Sequence, residues 1–309
     1  MKETSGTLTA PRRKSTGQKV LDNWQLYVLL LIPIVLTFVY KYIPMYGIQI
    51  AFRDFKASKG YLGSEWVGFD WFRRFFEAPT FSRMIKNTVL LSLFSLLWSF
   101  PIPIVLSLAI NQLRFAKYKR VVQTVLYAPH FISTMVICGM IRIFLSPSGG
   151  LINLLLGSQI DFLSESGAFR TIYIASGIWQ DAGWGCIIYL ATLANIDTAL
   201  YEAAKVDGAS VFKRILTVDL PALLPMAILM FIMSAGSLMN VGFEKVWLLQ
   251  TDLNKATSDV IAVYVYQQGI ENAKYSYSTA VGLFNTAINL ILLFIVNRIS
   301  SKVSEVDFV

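Results

Sequence analysis

Residue types and spacing carry the most chemistry at positions 201–221, YEAAKVDGASVFKRILTVDLP, a polar interruption between two strongly apolar stretches. Glu202, Lys205, Asp207, Lys213, Arg214 and Asp219 cannot sit unpaired in hydrocarbon, so this segment has to leave any membrane that its neighbours enter. Asp197 is placed to cap a short helix running to about Asp207, and Gly208 suits the left-handed turn that ends one. Ser210 caps a second short helix, and Pro221, after Leu220, opens the next apolar segment, where a missing N–H costs nothing. Ala203 and Ala204 are small enough for another protein to approach the backbone. Glu202 offers a charge to a partner or to the helix N-terminus. This is contact chemistry, not bond-making.

The second cluster is Asp181 with Trp179, Gln180 and Trp184, in the middle of an apolar stretch. Aromatic faces stack on sugar rings, and amide or carboxylate groups take hydroxyl hydrogen bonds, so the group suits the wall of a carbohydrate path. The alternative is that Asp181 pairs with Arg142 to hold two helices together. Gly177, Gly183 and Gly185 favour close packing or a broken helix in either case. Ser278, Gly282, Asn285 and Asn289 recur at helical spacing, a small polar stripe that lines a cavity or joins helices. His130, the single histidine, follows Pro129 and reads as a helix-packing residue.

The elements that must position these groups are membrane helices. Of 309 residues 55% are hydrophobic and only 15% charged, and the mean hydropathy is +0.56. A soluble domain so apolar would expose large sticky surfaces, which makes lipid the solvent. Six segments approach the roughly 20 apolar residues that a crossing helix needs: 25–46, 88–110, 121–145, 171–194, 222–239 and 279–296. Their runs are continuous rather than alternating, which excludes barrel strands and predicts an all-α integral membrane protein. Pro33, Pro101, Pro103 and Pro129 are expected to kink these helices.

The net charge of +8 reads as membrane anchoring rather than nucleic-acid binding. Arg114, Lys117, Lys119 and Arg120 share one short loop without an acid, and the tail before residue 23 is basic. Both termini are therefore expected on the cytoplasmic side. The outer loop 47–87 is also basic but diluted by Asp54, Glu65, Asp70 and Glu77, while 146–169 has no Lys or Arg. In the first outer loop Trp66, Phe69, Trp71, Phe72, Phe75 and Phe76 interleave with Arg73 and Arg74, which predicts a short amphipathic helix at the membrane surface. The first twenty residues lack a signal-peptide core, so the first span is expected to stay in the mature protein. Two cysteines and one histidine give no disulfide framework, no metal site and no catalytic set for an intramembrane enzyme.

Glu202-Ala203-Ala204, three residues, Gly208, and then Leu220-Pro221 closely resemble the cytoplasmic coupling loop of ATP-binding-cassette (ABC) importer permeases, with Val218 in place of that family's Ile. Further stretches are similar to the sugar-permease branch: YAPHFIS at 127–133, IWQDAGWGCIIYLATL at 178–193 and NVGFEKVWLL at 240–249. KYIPMYGIQIAFRDF at 41–55, WVGFDWFRRFF at 66–76 and YSYSTAVGLFNTAINL at 275–290 resemble permeases for complex oligosaccharides, including alginate or pectin fragments. The resemblance implies a tail at 1–23, a first span and outer amphipathic segment at 24–84, a permease domain at 85–300 and a tail at 301–309. It implies six spans with a coupling helix between the fourth and fifth, in a bacterial cytoplasmic membrane. It also implies a second, non-identical permease, an ABC ATPase dimer and an extracellular solute-binding protein as partners. ATP and magnesium would sit on the ATPase and no cofactor on this chain, which lacks a G-x-x-x-x-G-K-[ST] phosphate loop. Asn240 and Glu244 would lie at the pathway. A self-contained channel or secondary transporter is the rival reading, and it has no use for the segment at 201–221.

Overall fold

The computed structural model describes residues 22–303, with side chains to Arg298. Residues 1–21 and 304–309, which hold most of both expected tails, lie outside the described residues. The chain divides into two compact units, Met1–Ile50 and Ala51–Val309. The first is built on an apolar helix, α1 (Trp24–Phe52), long enough to cross a membrane. Pro33 lies within it, and Phe38–Tyr42 forms a wide π turn over which the Phe38 and Tyr42 rings stack.

The second unit begins with a two-stranded antiparallel ribbon, β1 (Arg53–Asp54) against β2 (Glu65–Trp66), with Arg53 opposite Trp66. This small sheet is a departure from an all-helical expectation. The helix α2 (Asp70–Phe76) falls within the aromatic stretch, but it does not simply lie on a surface. Phe75 is fully buried and packs edge-on against Phe81 and Phe284, and the Trp71 indole donates to the Arg53 carbonyl at 2.9 Å. Phe75 is thus held against the last helix, while Phe76 keeps 49% of its surface exposed.

Apart from two single turns of helix, Gly60–Gly63 and Lys255–Ser258, the remaining helices are α3 (Phe81–Asn111), α4 (Ala116–Phe131), α5 (Thr134–Phe144), α6 (Leu151–Leu156), α7 (Ala168–Ala194), α8 (Thr198–Val206), α9 (Val211–Gly236), α10 (Phe243–Leu249), α11 (Ile261–Tyr266) and α12 (Tyr275–Val303). Of these, α3, α9 and α12 are, like α1, long and apolar enough to span a bilayer. The pair α4 and α5 qualifies only jointly, because it bends by 96°. The expected third span, 121–145, is therefore broken. Pro129 sits in a tight 3-10 turn, Ala128–Phe131, and Ser133 caps the restart, its hydroxyl accepting from the Val136 N–H at 3.4 Å. The expected fourth span is α7, a continuous 27-residue helix whose glycines and polar cluster dilute its apolarity.

The expected fifth span also differs. It starts eleven positions early, at Val211, because the second short helix runs straight into it through a π turn, Ile215–Asp219. Pro221 thus lies inside a continuous helix. In the wide turn the Leu220 N–H donates to the Ile215 carbonyl, five residues back, which makes room where a proline would otherwise crowd the turn before it.

Three apolar clusters hold the second unit together. Leu91, Cys138, Phe169, Val246, Leu249 and Val263 join α3, α5, α7, α10 and α11. Ile110, Cys186, Tyr189, Leu193 and Leu223 join α3, α7 and α9. Phe75, Met84, Met239, Ile261 and Val281 join α2, α3, α11 and α12. Because α7 serves two of the clusters, its glycines matter. A Cβ on Gly183 would stand 2.0 Å from the Leu126 carbonyl oxygen, so only a residue without one allows α4 to lie against it.

Candidate functional site

The polar segment after α7 folds as a helix–turn–helix knob. The Asp197 carboxylate accepts from the Ala199 N–H at 2.9 Å and starts α8. The helix ends at Gly208, whose φ of +70° is the left-handed conformation. The Ala209 N–H reaches back to the Ala204 carbonyl at 2.9 Å and the Gly208 N–H to Lys205 at 3.0 Å, the paired bonds of a Schellman end. The Ser210 hydroxyl then accepts from the Lys213 N–H and starts α9. Glu202, Ala203, Asp207 and Gly208 are exposed, Ala204 partly so, and Leu220 and Pro221 lie on the open side of α9. Leu200, Val206 and Phe212 add exposed apolar side chains, at 54%, 87% and 70% of their free surface.

One knob charge is not solvated at all. Asp219 is fully buried and accepts from the Tyr201 hydroxyl and from Gln112 Nε2, the latter at 2.9 Å. Tyr201 is on α8, Gln112 ends α3, and Asp219 is in the π turn of α9, so one carboxylate ties the knob to two long helices. Burial, and then the Asp219 carboxylate beside it, push the Tyr201 phenol up to about 12. Sequence reasoning marked Asp219 only as a charge needing an exit from lipid. Its partner 18 residues earlier had no visible signal.

The second site is a pair of adjoining cavities between the helices. The larger, about 810 Å³, is lined by Ser92, Ser99, Tyr173, Trp184, Ser234 and Asn240. The smaller, about 620 Å³, is lined by Gln180, Asp181, Thr134, Gly177, Glu244 and Lys245. Ser95, Ser99, Pro103, Tyr173 and Gly185 border both. Of the residues singled out in the sequence, Gln180, Asp181 and Glu244 thus face one cavity, and Trp184 and Asn240 the other.

The other three candidates fall elsewhere. Trp179 borders neither cavity and is half exposed, since adjacent residues on a helix point about 100° apart. Asn289, on α12, accepts from the Met239 N–H at 2.9 Å and donates to Asn240 Oδ1 at 3.0 Å. Asn285 donates to the same oxygen at 3.4 Å. The α12 asparagines therefore fasten the end of α9, and only through Asn240 do they touch the cavity wall.

Asp181 pairs with His130, not Arg142. His130 Nδ1 and Asp181 Oδ1 are 2.9 Å apart, and the imidazole lies flat on Trp184 with ring centres 4.5 Å apart. Gln180 Nε2 donates to the Ile132 carbonyl at 3.2 Å. Neighbouring side chains of α7 thus hold the bend between α4 and α5, where backbone groups have lost helical partners. Arg142 instead donates to the Leu248 carbonyl on α10, from Nε at 3.0 Å. His130 was read as a packing residue; it packs, and it also carries a polar contact to the cavity wall. Tyr173, Ser95, Ser99 and Lys245 were missed, and only a map of which helices adjoin would have gathered them.

A fold of apolar helices around cavities whose largely apolar walls carry a few Ser, Tyr, Asn and Asp side chains, with a capped knob at one end, defines a membrane transport component. The family model for the binding-protein-dependent transport system inner membrane component matches residues 6–305, and the chain belongs to that family of ABC transporter permeases, whose members are transport subunits and not catalysts. It is 42% identical over 288 residues to Protein LplB of Bacillus subtilis (strain 168), covering 92% of this chain and 90% of that one. It is 40% identical over 298 residues to the polygalacturonan/rhamnogalacturonan transport system permease protein YteP of the same organism, covering 95% and 93%. A crystal structure of a bacterial alginate ABC transporter in complex with an alginate pentasaccharide-bound periplasmic protein contains a chain that is 38% identical, with a TM-score of 0.85, covering 95% of this chain and all of that one.

Proposed function

We propose that this chain forms one membrane half of an ATP-driven, binding-protein-dependent importer for oligosaccharides, and that it couples to a separate ATPase through the knob from Glu202 to Pro221. The observation that carries this reading is the knob's exposed face. Leu200, Val206 and Phe212 stand out of a segment too charged for lipid, beside the small Ala203, and an apolar surface in water at a transporter's end calls for a protein partner. The tie through Asp219 suits a handle that must move two helices when it is moved.

In this reading α1, α3, the α4–α5 pair, α7, α9 and α12 are six crossings of a bacterial cytoplasmic membrane, with both termini in the cytosol. ATP and magnesium belong to the ATPase dimer, and this chain carries no cofactor of its own. A second, non-identical permease completes the pathway, and an extracellular solute-binding protein delivers the sugar. Gln180, Asp181, Trp184, Asn240 and Glu244 line the route, where aromatic faces and hydroxyl-accepting groups alternate as a carbohydrate requires. The names of the matched transporters, for polygalacturonan and alginate, favour fragments of plant or algal polysaccharides.

Mild-detergent purification of the tagged chain from its own membranes tests the assembly. Co-purification of a phosphate-loop ATPase and a second permease is the expected result. Recovery of this chain alone, under conditions that keep other membrane complexes whole, would overturn the reading in favour of a self-contained channel or secondary transporter.

A further inference from the structure

Lys245 is the charged group that the account above leaves unexplained. It sits on α10 with only 8% of its surface exposed, and it lines the smaller cavity. Its ammonium lies 5.2 Å from the centre of the Tyr173 ring. It also lies against Gly177, where an added Cβ would come within 3.5 Å of Nζ. The ion pairs among the described residues do not include it. An aromatic face offsets only part of the desolvation of an ammonium group and leaves its three hydrogens without acceptors. A cation this little exposed, outside any ion pair and on the wall of a cavity, is therefore placed to receive an anion.

The acids beside it do not fill that role. Asp181 faces the same cavity but is engaged by His130, and Glu244 precedes Lys245 and makes no ion pair with it. The cavity thus presents one cation, two carboxylates and the Gln180 amide. A neutral sugar offers hydroxyl donors to the carboxylates but only uncharged hydroxyl oxygens to the ammonium, weaker acceptors than a carboxylate. A uronate ring offers both: hydroxyls that donate to Asp181 and Glu244, and a carboxylate that accepts from Lys245.

We infer that Lys245 receives a carboxylate of the passing sugar, so that the oligosaccharide carried is an acidic one built from uronate rings. The inference rests on the oligosaccharide reading above. Lys245 is then a specificity residue, with Tyr173 and Gly177 holding its ammonium at the cavity wall.

The test is ligand binding to the assembled transporter in lipid nanodiscs, without the solute-binding protein, whose own preference would mask the permease's. Two probes are compared: a galacturonate oligomer, and the same oligomer with its carboxyls reduced to alcohols. The wild-type complex is expected to bind the acidic oligomer about tenfold more tightly, the scale of one charge-assisted hydrogen bond. Lys245→Met should erase that preference by weakening the acidic oligomer more than the reduced one, and Lys245→Arg should restore it. A wild type that does not distinguish the two, or a Lys245→Met variant that weakens both equally, overturns the inference and leaves the oligosaccharide reading standing. Binding of neither oligomer by a folded wild-type complex removes both.

Discussion

The knob and the cavity pair are organised in opposite ways. The turns and caps that shape the knob are local, although Asp219 anchors its base at long range: Asp197 caps the residue two positions on, Ser210 the residue three on, and Gly208 closes a turn whose bonds span at most five residues. The cavity wall is assembled from α3, α5, α7, α9 and α10, and its contacts join His130 to Asp181, Tyr173 to Gly242 and Asn240 to Asn289. A contact surface for a partner has to keep one shape while it is pushed, and short-range capping supplies that. A route for solute has to change shape, and walls drawn from separate helices permit it.

The largest effects should come from the local region. Glu202→Lys and Gly208→Asp are expected to abolish uptake while the protein still reaches the membrane. The first reverses the charge on the exposed face, and the second forces a side chain into a left-handed position. Uptake assays alongside membrane blots would check this, and normal uptake in both variants would break the distinction between the regions.

Intermediate effects should come from the cavity. Trp184→Ala, which strips the wall and the support under His130, should lower sugar-stimulated ATP hydrolysis about three- to tenfold, with basal hydrolysis retained. Trp179→Ala, five positions earlier and outside both cavities, should leave the stimulation nearly intact. Equal losses in the two variants would mean that the wall is not the sugar's route.

The smallest effect concerns the tie at the knob's base. The Tyr201 phenol titrates at about 12 in the folded chain, against about 10 when unfolded. The folded state keeps its proton while the unfolded state loses it. The contribution to stability is therefore complete below about pH 10 and falls as the pH rises toward 12. Thermal unfolding in detergent should show a steeper decline over that window in wild type than in Tyr201→Phe. Parallel curves would detach Tyr201 from the knob's anchoring.

This contrast also explains what the sequence disclosed. The caps at Asp197, Gly208 and Ser210 were legible because each depends on neighbours a few residues away. The apolar runs were legible as helices for the same reason. The break at Pro129 was visible as a kink, but a bend of 96° depends on Gln180 from another helix holding the freed backbone. Asp181 was recognised as needing a partner and Arg142 was the one named, but packing brought it His130 instead. Asn285 and Asn289 shared a helix face in the sequence, but which neighbour that face meets is not a property of α12 alone. Lys245 gave no signal at all, because an unpaired charge is conspicuous only once its burial is known.

The wide turn at Ile215–Asp219 is in effect a single surplus residue lodged in α9. Deleting one residue there would restore a regular helix with its two ends nearly in phase, but would bring the Pro221 ring against the carbonyl of the turn before it. The strain would fall on the turn that carries Asp219, and so on that carboxylate's hold on Tyr201 and Gln112. The number of residues in that turn and the carboxylate at its end are therefore set together by one tie. A change of length there disturbs the handle as surely as the loss of Asp219 would.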